Sequence, residues 1–125
     1  MASFTDRELD IMSVLWTLES GTVSEVRERV TDDLAYNTIL TVLRTLEAKG
    51  HVRHEEQGKA HRYYPTVERD EAGRTSVSRL LDKVFDGSAE AMLTHLVSDR
   101  TLSRDRLAKM RKLIDERMRD QKGGK

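Results

Sequence analysis

Between Tyr36 and Arg44 the chain sets Asn37, Thr38 and Thr41 in a run that contains no carboxylate. These side chains share one capability, which is to bond the edges of nucleic-acid bases. An asparagine amide donates and accepts to adenine, and a threonine offers a hydroxyl beside a methyl that can rest on thymine. Asn37 and Thr41 are spaced by four, the repeat that stacks side chains on one face of a helix. A surface that enters the major groove must also lack carboxylates, because the phosphates repel them. Tyr36 and Arg44 at the flanks, with Lys59, His61 and Arg62 downstream, suit phosphate contacts that position without specifying. The competing reading is local: threonine and asparagine near a helix start often only cap it, and a polar helix face is usually just solvated.

Other chemistry is harder to place. The sequence has no cysteine, so disulfides, thiolate metal sites and cysteine nucleophiles are excluded. Its glycines are scattered rather than gathered into a phosphate-cradling loop, and no serine elbow or paired metal motif occurs. Neither an enzyme nor a cofactor is expected. His51 and His54 are three apart near a strand, which sends them to opposite faces and prevents joint chelation. His61 beside Glu55 or Glu56 is the remaining metal candidate, and a solvated or phosphate-facing role for it is favoured, so no metal is expected. Trp16 and the methionines read as core and interface filler.

Lysine plus arginine and aspartate plus glutamate number 22 each, so bulk charge does not announce a nucleic-acid binder. Met1–Thr66 carries 8 basic and 11 acidic residues, whereas Val67–Lys125 carries 14 and 11. Any positive field in the first part is therefore local, supplied within Tyr36–Arg62 by Arg44, Lys49, Arg53, Lys59 and Arg62 against Glu47, Glu55 and Glu56. No apolar run approaches a membrane span and the start shows no signal pattern, so a soluble, untargeted, cytoplasmic protein without membrane insertion is expected.

The elements that would position these residues can be read from spacing. Thr5 to Glu8 and Thr22 to Glu25 form capping boxes, opening a helix over about Asp6–Leu18 and a short second one bearing Val23, Val26 and Val30. A third helix, from about Ala35 to Lys49, carries Ile39, Val42, Leu43 and Leu46 on one stripe and Asn37, Thr41, Arg44 and Ala48 opposite, with Gly50 leaving it at positive φ. Val52–Glu55 and Arg62–Pro65 read as two strands joined by the polar tip Glu56–His61, a β-hairpin. Beyond Thr66 the pattern is helical throughout. Val77, Leu80, Leu81, Val84 and Phe85, then Ala89, Met92, Leu93, Leu96 and Val97, then Leu107, Met110, Ile114 and Met118 form three amphipathic stripes. With hydrophobic residues at only 37% of the chain, one small core cannot hide all three, and a second copy of the chain is the natural cover. The expected organisation is a winged helix-turn-helix domain at 1–66, a helical dimerisation domain at 67–121 and a disordered tail at 122–125, mainly α with a small β-hairpin. Leu81, Phe85, Met92, Leu96, Leu107, Met110 and Ile114 are the expected seam residues.

The run from Leu34 to Gly50 resembles the recognition-helix signature of the penicillinase repressor family, which includes methicillin-resistance and copper-responsive repressors. Thr5–Trp16, with the pair Leu15 and Trp16, is similar to that family's first helix, and His61–Pro65 to its second wing strand. Phe85, Asp86, Gly87 and Ser88 resemble its junction between C-terminal helices. The resemblance covers nearly everything from Thr5 to Met118. It implies a bacterial homodimer that blocks transcription by binding a palindromic double-stranded DNA operator, with the C-terminal helices interlocked. It also implies relief by proteolysis under a membrane sensor protease, at a bond that corresponds here to His95–Leu96. Both residues depart from the family's asparagine-phenylalanine pair. The copper branch relies on a cysteine cluster that this chain lacks. The alternatives that remain are a ligand-gated winged-helix regulator and a winged-helix protein-interaction module.

Overall fold

In the computed structural model, which describes residues 4–124, both capping boxes are formed. The Thr5 hydroxyl accepts from the Glu8 amide at 3.1 Å while Glu8 Oε1 accepts from the Thr5 amide at 2.8 Å, which starts α1 (Asp6–Leu18). Thr22 and Glu25 repeat the exchange, at 3.2 Å each way, to start α2 (Val23–Arg29). Between them Gly21 and Thr22 form a two-residue strand, β1. The sequence pattern marks Gly21 only as an interruption. Its place in the sheet depends on a partner over forty residues away, and a Cβ at Gly21 would meet Val26 Cγ2 at 3.3 Å.

The third helix, α3, spans Tyr36–Ala48 and is left through Gly50 at φ +84°. The hairpin follows as β2 (Val52–Gln57) and β3 (Ala60–Pro65), giving an antiparallel sheet in the order β1-β3-β2. Both strands run further toward the tip than the polar residues suggest. Main-chain pairing continues from Val52↔Pro65 to Gln57↔Ala60 whatever the side chains are, and closes in a two-residue turn. Gly58 holds φ +63° there, a conformation suited to tight hairpin turns and to glycine.

Ile11, Met12 and Leu15 of α1, Val23 and Val26 of α2 and Ile39, Leu43 and Leu46 of α3 close one core with Val52, Tyr63, Val67 and Ala72. Burying each of the larger aliphatic side chains contributes about 1.5–3 kcal/mol. Among the described residues no buried side-chain nitrogen or oxygen lacks a hydrogen-bond partner. The core reaches past the hairpin: Trp16 Nε1 donates to Val67 O at 2.8 Å, and Ala72 is buried on the first turn of α4 (Arg69–Lys83). The compact first unit accordingly extends to Arg79, beyond the Thr66 boundary read from the sequence. Three helices and a hairpin around one core make this unit a winged helix-turn-helix, and the chain is mainly helical with a small antiparallel sheet.

The second unit begins at Leu80. Here the chain leaves α4 through Asp86 and Gly87 at φ +55° and +82°, and Ser88 caps α5 (Ala89–Val97) by accepting from the Ala91 amide at 3.1 Å. The last helix, α6, runs from Arg104 to Gly124, past the Lys122 at which the sequence pattern places a tail; Lys125 lies outside the described residues. No side chain described in this unit is buried. Among the described residues no helix is long and apolar enough to cross a membrane.

Candidate nucleic-acid interface

The N-cap of α3 is Ala35, whose side chain caps nothing. Asn37 and Thr38 therefore sit inside the first turn rather than serving as its caps. Both are exposed, as are Thr41, Arg44, Thr45 and Ala48, while Ile39, Leu43 and Leu46 on the opposite side are fully buried. Thr41 Oγ1 donates to Asn37 O at 2.8 Å and Thr45 Oγ1 to Thr41 O at 3.0 Å, which orients both hydroxyls and leaves their oxygens free to accept. Among the described residues no hydrogen bond engages the side-chain amide of Asn37 or the hydroxyl of Thr38. The face that emerges is short, polar and free of carboxylate.

Two side-chain contacts fix this helix. Lys49, its C-cap, reaches both oxygens of Glu8 at 2.9 Å, joining the end of α3 to the start of α1. Burial raises the pKa of Glu8, but the Thr5 amide and Lys49 together outweigh it and hold the carboxyl below its ordinary value. At the other end, Arg27 Nε donates to Leu34 O at 2.9 Å and ties down the turn that leads into α3. Neither contact is visible from sequence spacing, since each depends on how the helices cross.

The wing divides its cations. Lys59 is exposed in the two-residue turn and, like Arg44, forms no ion pair among the described residues. Arg62 is committed elsewhere: its guanidinium meets Glu25 at 2.9 Å and 3.0 Å and Ser20 at 3.1 Å, pinning the wing to α2. Arg62's bond first, and then the Thr22 amide, lower the Glu25 pKa. Arg53 is half-exposed over the Tyr64 ring at 4.3 Å and paired with Glu55 at 2.7 Å. Tyr36, at the start of α3, is 45% exposed.

The histidines separate as their spacing predicts. His51 packs on Phe4 with ring centroids 4.6 Å apart, and burial first, then Lys49, lowers its pKa. His54 instead meets Glu47 Oε2 through Nδ1 at 2.6 Å and stacks on His61 at 4.3 Å. His61 Nε2 lies 4.0 Å from Glu56. Among the described residues no three His, Asp or Glu side chains converge as a metal site.

In the second unit the expected seam residues are distributed over exposed helix faces. Leu96, Leu107 and Ile114 are 53%, 36% and 45% exposed, and Leu81, Phe85, Met92 and Met110 are half-buried. Leu113, absent from the expected seam, is the most exposed of all at 67%, with Met118 at 64%. His95 packs against Phe85 at 5.2 Å, so the His95–Leu96 bond lies within a formed helix.

Residues 4–116 match the family model described as Penicillinase repressor. The transcriptional regulator BlaI of Mycobacterium tuberculosis is 38% identical over 96 residues, covering 74% of this chain and 70% of that protein. The methicillin resistance regulatory protein MecI of Staphylococcus aureus is 21% identical over 112 residues, covering 88% and 91%. Among solved structures, the DNA binding domain of the repressor BlaI aligns with a TM-score of 0.51 and 30% identity, over 55% of this chain and 87% of that one. A MarR family protein from Bacillus stearothermophilus aligns with a TM-score of 0.52 over 97% and 77%, at 14% identity, a likeness of fold alone. The chain belongs to the penicillinase repressor family, a family of repressors rather than enzymes.

Proposed function

We propose that this chain is a homodimeric transcriptional repressor that binds a palindromic operator, with α3 in the major groove and the wing on the flanking backbone. The observation that carries the reading is the outward face of α3, where Asn37, Thr38, Thr41 and Arg44 are exposed and no carboxylate intervenes. Asn37, Thr38 and Thr41 contact bases, and Tyr36, Arg44, Lys59 and His61 contact phosphates. Arg62 contributes by holding the wing against α2, and reaches DNA only if it releases Glu25. The apolar faces of α5 and α6, with Leu81 and Phe85 before them, supply the dimer seam, which sets two recognition helices on one duplex about one or two turns apart, roughly 34 Å per turn. Relief by cleavage at His95–Leu96 requires a protease, and the exposed Leu96 supports that step, while the helix around it must first open.

Selection of duplexes from a randomised pool by the purified full chain tests the reading. The expected product is an enriched dyad-symmetric sequence, bound by two chains. Recovery of no enriched sequence, or of one bound by a single chain, would overturn it.

A further inference from the structure

Where the end of α3 meets the hairpin, three elements bring titratable side chains together. Glu47 Oε2 of α3 accepts from His54 Nδ1 of β2 at 2.6 Å, and the His54 ring stacks on His61 of β3 at 4.3 Å with only 12° between planes. Glu56 Oε1 lies 4.0 Å from His61 Nε2. Tyr63 of β3 closes the group beneath, 5.6 Å from His54, with Arg44 and Tyr36 of α3 acting on it electrostatically. Burial first, and then Glu47, raise the Tyr63 pKa, so its hydroxyl adds no charge near neutrality. The cluster is not sealed: the side chains of His54, Glu47 and His61 are 32%, 34% and 44% exposed.

We propose that the Glu47–His54–His61 cluster is a proton-linked part of the DNA-binding surface, taking up a proton as DNA docks, so that affinity rises as pH falls from 8 to 6. Glu47 is the only carboxylate of α3, one turn from the exposed Arg44. With both imidazoles neutral it leaves a negative charge beside an approaching backbone. Protonation of His54 cancels that charge within hydrogen-bond distance, and protonation of His61 adds a cation to the wing. Two stacked imidazolium rings repel each other; Glu56, 4.0 Å from His61 and 80% exposed, is a solvent-screened counter-charge, and a docking phosphate adds a second anion that favours the second proton. Binding and protonation then favour one another by linkage, and histidine is the side chain that ordinarily titrates in this range. Proton uptake at the wing rests on the proposed DNA-binding role of α3.

The test is fluorescence anisotropy of the full chain with the selected duplex and with a scrambled duplex of equal length, at pH 6, 7 and 8 and constant ionic strength. Wild type should bind both about tenfold more tightly at pH 6 than at pH 8. His61→Gln should reduce the slope, and His54→Gln with His61→Gln should abolish it. Glu47→Gln should bind at pH 8 nearly as tightly as wild type does at pH 6, a change that simple loss of packing would not produce. His51 and His95 are present in every variant and set a common baseline. If the double variant fails to fold by circular dichroism, the exposed His61→Gln and Glu47→Gln carry the test. A wild-type affinity that is flat with pH, or a slope that survives the substitutions, overturns the proposal. Absence of duplex binding at every pH overturns instead the repressor reading on which it rests.

Discussion

The two units of this chain treat their apolar residues in opposite ways. In the first, eight large side chains from three helices and the hairpin are essentially inaccessible, and every buried polar side-chain atom described has a partner. In the second, three helical segments carry regular apolar stripes, yet none of the described side chains is buried, and Val84, Leu113 and Met118 are exposed by 64%, 67% and 64%. The difference teaches that amphipathic spacing specifies a face to be covered but not what covers it. One unit completes itself, and the other presents surface of the kind that homodimers bury.

That contrast can be broken most directly at α6. Replacing Ile114 and Met118 by aspartate should cost the isolated chain little, because both are already exposed, but should abolish the proposed dimer. Sedimentation would then give a single-chain mass, and affinity for a two-half-site duplex should fall on the order of a hundredfold or more, since one bound unit no longer assists the other. A variant that still sediments as a dimer would move the seam off this face.

The complementary substitution is Leu43→Ala in the closed core. It removes a fully buried side chain and should lower stability by about 2–5 kcal/mol, measured by denaturant unfolding, with no change in the association of chains that remain folded. Within the outward face of α3, Asn37→Ala or Thr41→Ala should cost about 1–3 kcal/mol on the selected duplex and relax preference at one base-pair position. Lys59→Ala should weaken selected and scrambled duplexes alike and reduce the salt slope by about one. Equal losses on both duplexes for Thr41→Ala would contradict its assignment to base contact.

The smallest effect is on stability against pH, and in the first unit it includes His51 and Glu8. His51 has a lowered pKa, so below its ordinary value of 6.5 the unfolded chain binds a proton that the folded chain refuses, and stability falls on acidification. Glu8, also lowered, contributes stability that is complete above its ordinary 4.5 and is lost as pH falls through the folded value. Thermal melts from pH 8 to pH 4 should therefore decline in two stages. His51→Leu should remove the first stage and leave the second.

Much of the fold is legible from spacing because its causes are local. The capping boxes at Thr5 and Thr22, the apolar stripe at Ile39, Leu43 and Leu46 and the positive φ of Gly50 each depend on residues within a turn or two. The candidate site was legible for the same reason: a carboxylate-free helix face is a property of consecutive side chains. Less legible were features whose partners are distant in the chain. Strand β1 exists because Gly21 and Thr22 meet Tyr63 and Arg62, and the hairpin runs further toward its tip because backbone pairing ignores side-chain polarity. The first unit continues past Thr66 because Val67 and Ala72 find room in its core.

By itself, then, the sequence determined which residues are helical, which faces are apolar and where a polar, carboxylate-free face of α3 lies, since 3.6-residue periodicity and capping chemistry act over a few bonds. Only the tertiary structure decided which cations remain free on that surface. It gave Arg62 to Glu25 and Lys49 to Glu8, across 37 and 41 residues, and left Arg44 and Lys59 without an ion-pair partner among the described residues. An ion pair is set by where two elements cross in space, and no local pattern encodes that crossing.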